Sequence, residues 1–100
     1  MKYSIYQLND SKDGKALLFE TYDNVKNKVN KKNYVQVWVG DIEESDDIVN
    51  DIYKAFGTSL PIGFYGHTPS ISDVIVLENG EAYYINDIGF VKLDENWNVE

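Results

Sequence analysis

The chain has 100 residues, 43% of them apolar, with no cysteine and a formal charge of −8. That length forms one domain around a single core, and the lack of cysteine excludes disulfides and thiolate metal sites. The charge opposes any approach to nucleic acid or to an anionic membrane surface. All nine basic residues are lysine, so the chain has no guanidinium fork for a phosphate or a guanine edge.

Lys2 to Leu8 is short and rich in aromatic and β-branched residues and predicts a strand, with a turn cluster from Asn9 to Gly14 behind it. Ala16 to Phe19 reads as a brief second strand. Tyr22, Val25 and Val29 then fall on one helical stripe after Thr21, a residue suited to an N-cap. This short helix is expected to fray among Asn30, Lys31, Lys32 and Asn33.

Tyr34 to Val39 is β-branched or aromatic at every position but Gln36 and predicts a largely buried strand ended by Gly40. From Ser45 to Phe56, Ile48, Val49, Ile52, Tyr53 and Phe56 recur at spacings of three and four, which is the pattern of an amphipathic helix. Ser45 is placed to cap it, Asp46 and Asp47 suit its first turn, and Gly57 suits a left-handed stop.

Leu60 to Gly63 is irregular and leads to a polar loop over 66–72. Val74 to Glu78 and Glu81 to Asn86 flank Asn79-Gly80, a pair that favours a type I′ hairpin. Asp87-Ile88-Gly89 reads as a bulge interrupting the second strand, which resumes over Phe90 to Leu93. From about Asp94 the chain reads as a loosely attached tail with Trp97 as its anchor.

The whole chain, residues 1–100, is thus expected to be a single α+β domain in the order β-α-β-α-β-β. An antiparallel sheet of about four strands carries both helices on one face and leaves the other partly exposed and rich in tyrosine. Tyr83 and Tyr84 are adjacent on a strand and must point to opposite faces. Tyr84, which shares a face with Ala82 and Asn86, is expected to be the more exposed.

Three constellations carry possible chemistry. His67, Ser70, Ser72 and Asp73 supply the residue types of a base, a nucleophile and an orienting acid. They crowd into one loop without a nucleophile elbow or a glycine-rich oxyanion loop, so the plainer reading has Ser70, Ser72 and Asp73 bonding backbone amides and shaping the loop. Asp41, Glu43, Glu44, Asp46, Asp47 and Asp51 form the densest acidic run. A calcium loop starting at Asp41 would need glycine and glutamate where Asp46 and Ile52 stand, which leaves a solvated helix start or a negative patch for a basic partner. Lys26, Lys28, Lys31 and Lys32 have too few aromatic neighbours for a nucleic-acid platform and suit a solvated helix end.

Gly66, His67, Ser70, Ser72, Asp73 and Val74, followed by Ala82, Tyr84, Gly89 and Phe90, resemble the closing pattern of the YodL-like domain, a small Firmicutes domain of conjugative transposons, plasmids and phages. The opening strand and the helix over Ile48 to Phe56 fit the same family. Thr68-Pro69 departs from a more usual serine-leucine pair, and the segment before the loop is less acidic than usual. The resemblance implies an accessory binding role and supplies no enzymatic activity.

A non-catalytic, cytoplasmic module without metal or cofactor is therefore expected, one that captures a basic host protein through its acidic run. Inhibition of a host defence or nucleic-acid-handling protein, of the anti-CRISPR or anti-restriction type, is the sharpest form. An alternative is a regulatory domain that meets a host cytoskeletal or replication protein through Tyr84, its sheet face and the His67 loop. A second alternative is a small hydrolase using His67 with Ser70 or Ser72.

Overall fold

A computed structural model of the chain describes residues 1–25, 28–57, 59–94 and 97. Strand β1 (Lys2–Leu8) is followed by two short helices, α1 (Lys12–Leu17) and α2 (Tyr22–Val25), and a 3-10 turn over Lys31–Asn33. Then come β2 (Tyr34–Asp41), α3 (Ile48–Ala55), β3 (Val74–Leu77), β4 (Ala82–Ile85) and β5 (Phe90–Lys92). The α+β class holds, with five strands in the order β2-β1-β3-β4-β5 and every neighbouring pair antiparallel.

The fifth strand comes from the segment read as a bulge. Residues 86–89 form a hairpin loop in which Asn86 N–H donates to Gly89 C=O, and Ile85 pairs with Phe90 across it. Gly89 takes a positive φ of 68° there. The Asn79-Gly80 hairpin also differs from the type I′ expectation, because Gly80 has a positive φ and Asn79 does not. Gly80 N–H donates to Leu77 C=O and Leu77 N–H to Glu81 C=O, which makes a three-residue loop closed by a left-handed glycine.

Ala16 and Leu17 lie in α1, not in a strand. Ser11 caps that helix by accepting from Gly14 N–H at 3.0 Å, so the polar cluster before it serves as a helix start. The helix predicted from Thr21 is only Tyr22–Val25, and its first amide is held by Asn86 Oδ1, not by Thr21. Strand β2 runs past Gly40 to Asp41. Helix α3 starts later than expected, with Asp47 at its cap position, and Ser45 Oγ donates instead to Asp51. Its end needs no left-handed glycine, since Phe56 closes it with negative φ.

The main correction concerns layering. Tyr3, Ile5, Val37, Ile75, Leu77 and Ile85 face α3, where Val49, Ile52 and Phe56 complete one core. Tyr34, Val74, Ala82 and Tyr84 face the other way and are covered by Leu17 of α1, Val25 of α2, Leu93 and Trp97. The helices therefore lie on both faces, and the tyrosine-bearing face is a second core. Trp97 anchors the end of the chain between Tyr6 and Tyr34, with ring centroids 5.6 and 5.3 Å away and edge-on geometry. The remainder of the expected loose tail, and Lys26, lie outside the described residues.

Tyr84 is 0% exposed, and its hydroxyl donates to Glu20 C=O at 2.7 Å. Its ring meets Tyr22 edge-on at 5.4 Å. Burial and the Glu20 carboxylate push its ionisation well above the usual tyrosine range. Tyr84→Ala is expected to lower unfolding free energy by about 3 to 5 kcal/mol, while Tyr84→Phe, which removes only the hydroxyl, costs about 1 kcal/mol. Urea titration measures both, and a change below about 0.5 kcal/mol for the alanine would mark a surface position.

Candidate functional site

Strand β1 places Tyr3, Ile5 and Gln7 on the α3 side of the sheet, so the third member of an otherwise apolar row is an amide. Gln7 is buried, and a buried amide needs partners for both ends. The loop after α3 provides them. Gln7 Nε2 donates to His67 C=O at 2.7 Å and to Asp73 Oδ2 at 3.0 Å, while His67 N–H donates to Gln7 Oε1 at 3.2 Å.

Gly66 is what allows the loop to come this close. Its φ is +128°, and a Cβ there would stand 2.2 Å from Gln7 Oε1. Both the backbone conformation and the space require glycine. Past this point the loop turns back on itself: Ser70 N–H donates to Asp73 Oδ2 at 2.9 Å, and Asp73 N–H donates to Ser70 C=O at 3.1 Å.

Ser72 is buried and has a positive φ of 86°. Its hydroxyl accepts from Phe19 N–H at 3.1 Å, and Phe19 has a positive φ of its own, 63°. Tyr34 on β2 donates its hydroxyl to Ser72 C=O at 2.8 Å. Two residues in a backbone region costly for side chains are thus bonded to each other and fixed by the sheet. Burial, together with Tyr84 and Asp73 nearby, pushes the Tyr34 hydroxyl far above its ordinary ionisation range.

Asp73 itself is 0% exposed. Its Oδ2 has two donors, whereas its Oδ1 is buried without a partner among the described residues, as is Ser70 Oγ. Loss of water pushes the carboxyl up to about 7, against the opposing pull of the Ser70 amide, the His67 imidazole and the Gln7 amide. One unsatisfied oxygen in an apolar setting explains why burial prevails over three favourable neighbours.

The structure therefore brings His67, Ser70, Ser72 and Asp73 into one loop but does not align them for acyl transfer. His67 Nδ1 lies 2.9 Å from Thr68 C=O and 3.4 Å from Gln7 Nε2, and no hydrogen bond joins the imidazole to Ser70 Oγ or Ser72 Oγ. Asp73 bonds to Gln7 and to the Ser70 amide, not to the ring. The loop-shaping reading fits Asp73 and Ser72, which accept backbone amides, but not the Ser70 hydroxyl. Gln7, Tyr34 and Phe19 were not singled out in the sequence, and Gly66 was marked there only by the family resemblance. Gln7 did leave a signal, as a polar residue on the buried parity of β1.

The acidic residues occupy a different surface. Glu43, Glu44, Asp46 and Asp47 are exposed on the connector between β2 and α3, and no lysine pairs with them among the described residues. Asp41 is held by the amino terminus and Lys2, which pull its carboxyl below the usual range. Asp51 is half-buried and accepts from Ser45. A cleft of about 780 Å³ opens between α1, α2 and the 3-10 turn, lined in part by Leu17, Val25 and Asn33; Lys28 and Lys32 of the lysine cluster reach it, and neither the acidic run nor the His67 loop does.

A family model for the YodL-like domain matches residues 2–95, from the first residue of β1 to beyond β5. The chain belongs to the YodL-like domain family. No curated protein and no solved structure matches it. In this YodL-like domain the clamped loop holds Gly66, His67, Ser70, Ser72 and Asp73 near Gln7 of the opening strand. Among the described residues no helix is long and apolar enough to cross a membrane.

The buried carboxyl makes stability depend on pH with a definite sign. Folded Asp73 keeps its proton up to about pH 7, whereas an unfolded aspartate releases it near 3.8. Between those values the folded state binds more protons, so stability falls as pH rises. Asp73→Asn, which keeps an oxygen for Gln7 and Ser70, is expected to remove this slope and to be the more stable protein at pH 8, by on the order of 2 to 4 kcal/mol. Thermal melts of both proteins from pH 4 to pH 8 provide the check, and parallel profiles would exclude Asp73 as the titrating group.

Proposed function

We propose that this YodL-like domain is a non-catalytic binding module that occupies a basic surface on another protein. The observation that carries this reading is the connector of residues 42–47, where Glu43, Glu44, Asp46 and Asp47 are all exposed and unpaired by lysine among the described residues. The chain's charge of −8 adds a long-range field of the same sign. Charges left unpaired at a surface cost little in water and become favourable when a partner's cations meet them.

The family's setting in Firmicutes mobile elements and phages, with this charge, favours a host protein that handles nucleic acid. Carboxylates set close together on one connector fill a groove built for phosphates, the mode of action of an anti-CRISPR or anti-restriction inhibitor. The alternative of a regulatory domain acting through a sheet face on a cytoskeletal or replication protein loses Tyr84, which is internal. Its remaining support is the exposed pair Phe19 and His67, whose rings lie 6.2 Å apart. The hydrolase alternative rests on residue types in the loop alone.

Neutralising the connector as Glu43→Gln, Glu44→Gln, Asp46→Asn and Asp47→Asn together is expected to leave stability within about 0.5 kcal/mol. Capture of the partner from a host lysate at low ionic strength should fall at least about tenfold, and wild-type capture should weaken steeply as salt is raised toward about 0.5 M. Retention that is equal for both proteins and indifferent to salt would remove the acidic-surface reading.

A further inference from the structure

Strand β2 is the outermost strand on its side of the sheet, and the register fixes where each of its backbone groups points. Glu78 N–H donates to Lys2 C=O, so Lys2 turns its backbone groups toward β3. Asp41 stands opposite Lys2 on the other side of β1 and therefore turns its own N–H and C=O away from the sheet. By the same alternation so does Val39, opposite Ser4. Val37 also directs its C=O outward, and there Tyr65 N–H donates to it at 3.1 Å, so the loop after α3 occupies the edge at that point.

Beyond Val37 the edge is open. Among the described residues nothing bonds the outward N–H and C=O of Val39 or Asp41. Val39 is 53% exposed. The strand holds neither proline nor lysine, and its one register shift, an extra residue at Val37 opposite the Ile5–Tyr6 step, lies before the open stretch and not within it. Immediately after Asp41 the chain enters the acidic connector, so a strand laid beside Val39 and Asp41 runs on past Glu43 and Glu44.

We propose that the open edge of β2 at Val39 and Asp41 takes up an extended, lysine- or arginine-bearing segment of a partner protein by strand addition. The inference rests on the basic-partner reading above and gives it a mode. Backbone groups of the two outward residues supply up to four hydrogen bonds, and the connector selects the sign of the incoming side chains. Pairing with a second copy is opposed by bringing two chains of charge −8 and two acidic connectors together.

The test uses two blocked peptides, each about ten residues long and of equal charge: alternating lysine and valine, which forms a strand, and alternating lysine and proline, which does not. Amide hydrogen exchange by NMR is read on the intact domain. With the lysine-valine peptide at low salt, the Val39 and Asp41 amides are expected to slow at least about tenfold, and the lysine-proline peptide is expected to give no protection there. Val39→Pro removes an outward N–H that the sheet does not use, so the domain should fold and lose the protection.

Equal binding of both peptides, or protection confined to the acidic connector, would overturn strand addition while leaving the basic-partner reading in place. Binding of neither peptide would also overturn it, and the lysate capture with the neutralised connector then decides the broader reading by itself. Protection of Val39 and Asp41 that grows with protein concentration in the absence of peptide would assign the edge to a second copy and defeat the proposal.

Discussion

Because α1 and α2 cover one face of the sheet while α3 and the loop behind it cover the other, nearly every inward position on the central strands belongs to a core. A five-stranded sheet covered on both sides has little left to present except its edges, turns and connectors. That constraint decides where contact with other molecules falls. The tyrosines, which suggest an interface when counted, are largely structural: Tyr34 and Tyr84 direct buried hydroxyls at carbonyls, and Tyr6 packs on Trp97. Contact surface is left to the connector before α3, the open part of β2 and the exposed tip of the loop around His67.

The buried polar clamp on β1 is the costly element in this arrangement. Gln7 could be replaced by an apolar residue with gain to the core, but the loop crossing it would then lose three hydrogen bonds at once. The amide therefore acts as a register mark, telling one particular stretch, Gly66 to Asp73, where to lie against the sheet. Strain at Phe19 and Ser72 belongs to the same construction, since their bond ties the end of α1 to the start of β3. Local strain of this kind persists only where surrounding contacts over-determine it. Here these are the Tyr34 hydroxyl and the two backbone bonds between Ser72, Asp73 and Ile85.

Much of this was legible residue by residue. β-branched and aromatic runs mark β1 and β2, the three-and-four spacing marks α3, and Asn79-Gly80 marks a hairpin. Tyr84 was misplaced because alternation assigns residues to two faces without saying whether the second is wet. With both faces buried, the period of two survives and its usual meaning does not. The four residues of Ala16 to Phe19 are too few for periodicity to separate strand from helix, and the deciding signal was Ser11, a cap hidden in what looked like a turn. Asn86 was unreadable in another way, since the amide it holds belongs to Tyr22, far away in sequence. At the candidate site the residue types were visible, but their partner Gln7 lies on the first strand, and only tertiary pairing joins them.

An open strand edge is ordinarily a hazard, and acidic proteins have a means of containing it. Charge of one sign keeps copies apart at long range, so the stretch beyond the Val37 bulge can stay unblocked by proline or lysine and still not nucleate association. The same field draws in a chain of opposite charge. On this view the connector and the edge divide the work of recognition: carboxylates set the encounter rate and reject anionic competitors, and outward amides and carbonyls hold whatever extended segment arrives. Sequence reading of the partner would then rest mainly on charge and extension, because backbone pairing recognises neither side-chain shape nor identity. Val39 and its neighbours add a shallow apolar contact on one side, which favours cationic residues alternating with apolar ones over an unbroken cationic run.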